Sequence, residues 1–256
     1  MIRTFVFIFG LLLPAALWAS SEVHDLPAPS GGTQRLLLLK PERPIAVLVV
    51  FAGGDRALGI AEDGSLEWGS ASLLIRTLPL FLQHGFVAAI VDLPSAQQAK
   101  PNPDFRASAA HARDISTVID FLRRDSKLPV WLIGTSSGTT SVLNAAMHLQ
   151  KNGADGIVVT SGIDPSMNSQ LGAIRVPVLV VRKGDPCDPA QRDPSGTIAA
   201  LANAPKAEEV IVQSSVEVGA DPCSIAPRHG FLGMESQFVN KIANWIKTVL
   251  QQKNYI

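Results

Sequence analysis

The chain has 256 residues, 46% of them hydrophobic, and its 22 basic and 22 acidic side chains cancel to a formal net charge of zero. That length fits one α/β domain of ordinary size. With no Lys/Arg run and no net charge there is no electrostatic footprint for nucleic acid or an anionic membrane surface, so a small or neutral molecule is the expected partner.

Arg3 opens the amino terminus, followed by an apolar run from Phe5 to Ala19 broken only by Gly10 and Pro14, and then by Ser20 and Ser21. A short positive region, a hydrophobic region and a small-residue exit make a secretory signal peptide. It is expected to occupy residues 1–20, with cleavage near Ala19 or Ser20 and a periplasmic or secreted destination. The run falls short of the roughly 18 apolar residues that span a bilayer, so no stable membrane insertion is expected after cleavage. No cysteine marks the exit for lipid attachment. Residues 21–35, with Pro and Gly between Pro27 and Gly32, read as a leader segment, and residues 36–256 as a single domain.

Leu36 to Leu39 reads as an edge strand. Ile45 to Phe51 is a continuous β-branched-rich run, the pattern of a strand buried on both faces in a parallel sheet. From Ala71 to His84 apolar residues recur at helical spacing, although Pro79 threatens a kink. Phe86 to Val91 is the next buried strand, and Ser108 to Arg124 an amphipathic helix with Ile115, Val118, Ile119 and Leu122 on one face. Val130 to Ile133, Ile157 to Thr160 and Val176 to Val181 are further strands, with a helix from Val142 to Leu149 after the first. A weak helix over Ile198 to Asn203, a strand over Val210 to Val212 reaching toward Val218, and a closing helix over Phe238 to Leu250 complete the chain. This alternation predicts an α/β fold with a doubly wound, mainly parallel sheet flanked by helices and right-handed crossovers. The segment from Ser161 to Arg175 is too short for a large helical cap domain.

The chemistry centres on Val130 to Thr140, VWLIGTSSGTT, where an apolar strand runs into Gly134-Thr135-Ser136-Ser137-Gly138 and a helix follows. That is G-x-S-x-G in the strand, sharp turn, helix setting that makes a serine a nucleophile, with glycines where side chains would crowd the turn. A plain Gly/Ser-rich turn is the bland alternative. A serine needs a base, and the base an orienting acid, both expected after the serine in this architecture. His24, His84 and His111 precede Ser136, and His148 sits in the helix after it. His229 remains, in the loop Pro227-Arg228-His229-Gly230-Phe231. For the acid, Asp185 directly follows a strand, with Asp188 and Asp164 as alternatives, and each is also a plausible turn former. The second oxyanion donor to accompany the Ser137 amide is expected from the loop carrying Gly53 and Gly54. The only cysteines, Cys187 and Cys223, flank the acid and histidine loops. In an oxidising compartment they are expected to pair, which is worth roughly 3 to 4 kcal/mol in the chain-entropy model.

Taken together, Ala52-Gly53-Gly54, the Ser136 turn, Gly184-Asp185 and His229-Gly230 resemble the α/β-hydrolase superfamily over roughly residues 36 to 250. The chain is similar to secreted bacterial α/β-hydrolase-like proteins with a GGD loop after the third strand and HGF at the base, although Ala52 stands where a histidine commonly precedes the glycine pair. The resemblance implies a serine hydrolase cleaving a carboxylic ester or related small acyl substrate through an acyl-enzyme intermediate, without cofactor. Its catalytic residues would be Ser136, Asp185 and His229, its oxyanion donors Gly54, Ser137 and Gly53. The alternative is a catalytically silent scaffold of the same fold that binds a ligand or protein partner. Glu62, Trp68, Arg76 and Arg106 are candidates for shaping the pocket, each also readable as a surface or packing residue. P-loop and dinucleotide-binding spacings are lacking, and no His/Cys/carboxylate cluster has metal-ligand spacing.

Overall fold

A computed structural model describes residues 20–99, 102, 104–160, 163, 165–184, 195–213 and 230–256. Its strands are β1 (Ser20–Pro27), β2 (Thr33–Lys40), β3 (Ala46–Phe51), β4 (Phe86–Val91), β5 (Val130–Thr135), β6 (Gly156–Thr160), β7 (Val178–Lys183) and β8 (Ala207–Val212). They form one sheet in the order β1-β2-β4-β3-β5-β6-β7-β8. From β4 to β8 every pairing is parallel, whereas β2 runs antiparallel to both β1 and β4. β3, β4, β5 and β6 are buried along their whole length. That accounts for their unbroken apolar sequences, because a parallel strand covered on both sides has no polar face to show.

Successive residues of each strand point to opposite faces and so supply two cores. Leu48, Val50, Trp131, Ile133 and Leu179 pack against α1 (Leu73–Arg76), α2 (Leu78–Gln83) and the closing helix, which bears Phe238, Ile242 and Trp245. Val47, Val49, Leu132, Val159 and Val180 pack on the other side against α4 (Ala109–Ser126) and α5 (Ser137–Leu149). The remaining α-helices among the described residues are α3 (Ser95–Ala99), α6 (Ser195–Ala200) and α7 (Glu235–Gln252), the closing helix. The doubly wound architecture is as expected. Trp131 lies opposite Gly156 on β6, and a Cβ built on that glycine would come within 2.1 Å of the indole. The same ring meets Trp245 edge-on, with centroids 5.7 Å apart.

Three local expectations are corrected. Residues 21–35 are no leader: Ser20–Pro27 forms β1 and pairs residue for residue with Thr33–Lys40 across a turn in which Gly31 and Gly32 have positive φ. The alternation of exposed and half-buried residues in β1 is that of a solvent-flanked edge strand, so β2 is interior and not the edge. The expected helix from Ala71 to His84 is two helices, broken at Thr77. Pro79 has no N–H to continue the ladder, and the Thr77 hydroxyl instead donates to Leu73 O and Leu74 O, at 2.8 and 3.1 Å. Between β6 and β7 the described residues form a 3-10 segment, Pro165–Ala173, and among them there is no helical cap. Among the described residues no helix is long and apolar enough to cross a membrane.

Candidate active site

Ser136 occupies the turn from β5 into α5 with φ 53° and ψ −126°, a backbone conformation that costs a non-glycine residue on the order of 1–3 kcal/mol. The strain is held by its surroundings. A Cβ on Gly134 would lie 2.3 Å from Gly138 O, and one on Gly138 only 2.1 Å from Phe51 O. Both glycines of the motif are therefore sterically required, the second because α5 starts directly against the end of β3. Beneath the turn, Thr139 Oγ1 donates to Thr160 O at 3.0 Å, and the Ser136 amide reaches the same carbonyl at 3.2 Å. The result is a serine exposed to solvent at the carboxyl edge of a parallel sheet, where open α/β sheets bind ligands.

The glycine loop after β3 closes on this turn. A Cβ on Gly53 would stand 3.0 Å from Ser136 Cβ and 3.7 Å from its Oγ, so only a bare backbone approaches the serine so closely. Gly54 has φ +95° with open space where a Cβ would go, so its glycine is demanded by conformation and not by crowding. Its carbonyl accepts hydrogen bonds from Ser137 Oγ at 2.9 Å and from Arg106 Nη2 at 3.1 Å. Arg106 Nη1 donates in turn to the buried Ser141 Oγ at 2.9 Å. Ser137 is the first residue of α5, and its amide is one of the helix-start donors with no intrahelical acceptor. Sequence reasoning brought Ser136, Ser137, Gly53 and Gly54 to one place, and the structure does the same.

Two supporting residues carried a weaker signal in the sequence. Asp92, buried just past β4, accepts from the amides of Leu58 and Leu93 at 2.7 and 2.8 Å and of Ile60 at 3.1 Å, which pins the long loop after Gly54 to the sheet. The clue was an acid directly after an uninterrupted apolar strand. Arg106, a pocket candidate in the sequence, is a brace behind the glycine loop. Burial lowers its pKa, against the attraction of Asp55 and Asp92.

The other histidines have other settings. His24 lies on the edge strand beside Glu22, His84 bonds Asn240 at 2.8 Å, and His148 Nδ1 sits 3.0 Å from Asn144 O. His111 is 1% exposed, its ring 4.6 Å from that of Phe105, and burial, then the Arg106 charge, lowers its pKa to about 3. His229, Asp185, Asp188, Asp164, Cys187 and Cys223 lie outside the described residues. The neighbouring residues are described. Gly184 donates its amide to Val212 O at 2.9 Å, and Gly230 O accepts from Arg76, which also pairs with Glu235 at 3.1 Å. Arg76 is thus a tie between α1 and the start of α7, and Glu62 is exposed.

Solved structures share this arrangement of strands and helices. A dienelactone hydrolase from Anabaena variabilis superposes with a TM-score of 0.63 at 16% identity, covering 90% of this chain and 97% of that one. The chain has the α/β-hydrolase fold. A cold-adapted esterase from an Arctic intertidal metagenomic library matches this α/β-hydrolase fold with a TM-score of 0.61 at 14% identity over 89% of this chain and 93% of its own. An α/β serine hydrolase without a lid, from Xanthomonas campestris, matches at 0.57 and 14% identity over 91% and 95%. No protein-family model and no curated protein sequence matches the chain.

Proposed function

We propose that the protein is a serine hydrolase that cleaves a carboxylic ester or related small acyl compound through an acyl-enzyme intermediate. Ser136 Oγ attacks the acyl carbon while His229 takes its proton; His229 then returns that proton to the departing alcohol oxygen. Water, deprotonated by the same imidazole, releases the acid and restores the serine. Asp185 holds the imidazole, with Asp188 and Asp164 as the alternative acids, and the oxyanion is received by the amides of Gly54 and Ser137. The observation that carries this reading is the exposed, strained Ser136 at the head of α5 with the glycine loop against its side chain. A 3-10 segment in place of a cap favours short, soluble acyl groups. The amino-terminal signal segment favours a periplasmic or secreted protein.

A fluorophosphonate probe tests the reading. The purified protein is expected to be labelled at Ser136, and Ser136→Ala to lose the label. Labelling of both proteins, or of neither, would favour a silent ligand-binding scaffold.

A further inference from the structure

A groove of about 250 Å³ opens beside the residues that directly follow the glycine loop. Its walls come from the segments after β3 and after β4, with Asp55, Arg56, Glu67, Trp68, Gln97 and Gln98 contributing the functional groups. Asp55 follows Gly54 directly. β3 lies between β4 and β5, so the groove, built after β3 and β4, and the Ser136 turn, built after β5, share the carboxyl edge of the sheet.

This groove is built and not a gap between loose loops. The segment bearing Glu67 and Trp68 folds back on itself: the Trp68 amide donates to Leu58 O at 3.0 Å and the Glu67 amide to Gly59 O at 3.2 Å, with an antiparallel bridge between Ile60 and Leu66. The Asp92 carboxylate fixes that fold through Leu58 and Ile60. Opposite, Gln98 Nε2 donates to Leu93 O at 2.7 Å. Trp68 is nonetheless 51% exposed, and the Arg56 guanidinium lies over its ring, 5.2 Å from the centroid.

The chemistry of the walls selects among ligands. Two carboxylates, Asp55 and Glu67, against the single Arg56 guanidinium repel a carboxylate or phosphate, and a cation is the competing occupant that an amino sugar tests. An alkyl chain would desolvate two carboxylates, a guanidinium and two amides without giving them partners. A hydroxyl is both donor and acceptor, so it can serve carboxylates, amides and guanidinium alike, while the C–H edge of a saturated ring lies against the part of the half-exposed indole that Arg56 leaves open. The volume is below the roughly 300–1,000 Å³ of drug-sized sites, which limits the occupant to about one ring.

We propose that the groove lined by Trp68, Arg56 and Gln97 is a subsite for a neutral polyhydroxyl ring, a single sugar unit, so that the natural ester carries a sugar beside its scissile bond. As a substrate subsite it rests on the hydrolase reading; as a binding site it is tested without turnover. Isothermal titration of Ser136→Ala with neutral methyl pentosides and hexosides is set beside glucuronate, glucosamine and hexanoate. Binding of at least one neutral glycoside is expected, ahead of the charged and alkyl probes. The affinity should fall at least tenfold in Ser136→Ala/Trp68→Ala and recover in part in Ser136→Ala/Trp68→Phe, which keeps an aromatic face. Trp68 is half exposed, and an unchanged circular dichroism spectrum verifies that each variant is folded. Failure of every neutral glycoside to bind, preference for a charged or alkyl probe, or binding indifferent to Trp68 overturns the proposal. None of these outcomes bears on fluorophosphonate labelling of Ser136, so the two readings fail separately.

Discussion

Two adjacent glycines give the loop beside Ser136 the close approach that a side chain would forbid, and the same absence of side chains leaves its backbone free to wander. Donors aimed at a developing oxyanion stabilise it only if they are already in place. Arg106 and Ser137 Oγ answer this by holding one carbonyl, that of Gly54, from two sides. Arg106 is therefore a positioning residue for the proposed reaction. Arg106→Met is expected to lower kcat by about 10- to 100-fold with little change in KM, since a misplacement of about 1 Å costs about 10²-fold. Arg106→Lys, which keeps the charge but not the two-pronged geometry, should recover only part of the loss. A KM change with kcat intact, in a protein of unaltered Tm, would assign Arg106 to substrate binding instead. Ser136 and its glycines were legible in the sequence because their constraint is local, five residues that must make one turn. The roles of Arg106 and Asp92 were less legible, because the bonds to Gly54 and Leu58 that define them reach across 52 and 34 residues.

At the level of elements, the strands were readable from their composition and the helices from their period. Misreadings occurred where a residue type has two uses. Gly31 and Gly32 belong, by composition, to a leader over residues 21–35 and are the turn of a hairpin. Pro79 reads as a kink in one helix and is the second residue of another. The pairing of β7 with β8, in register out to Lys183 opposite Val212, bears on the cysteines, because the segments that contain Cys187 and Cys223 follow those two neighbouring strand ends. Peptide mapping of unreduced protein recovered from an oxidising compartment is expected to show a Cys187 to Cys223 crosslink. Reduction should lower turnover at temperatures where the sheet remains folded. Two free thiols in that material would rule out the bridge.

At the level of the whole molecule, the buried histidine couples stability to pH. The folded chain holds His111 neutral down to about pH 3, whereas in the unfolded chain it takes a proton near its ordinary value of 6.5. Between those limits the unfolded state binds more protons, so the contribution of His111 is fully present above pH 6.5 and declines as the pH falls toward 3. By linkage the loss reaches at most about 3 kcal/mol near pH 4. Among the described residues neither ring nitrogen of His111 has a hydrogen-bond partner, so His111→Leu removes the proton site without orphaning another group. Urea midpoints measured from neutral to acid pH should fall less steeply for His111→Leu than for the parent chain. Parallel slopes would mean that His111 does not set the acid limb.

The edge-on pair of Trp131 and Trp245 joins the interior of the sheet to the last helix: one indole belongs to β5 and the other to α7, more than a hundred residues later. Two indoles at that distance and inclination are coupled transition dipoles in a chiral setting. Their shared near-ultraviolet dichroism exists only while α7 is seated on the sheet, so the protein has an intrinsic optical signal for the last step of its assembly, separate from the half-exposed Trp68 at the groove.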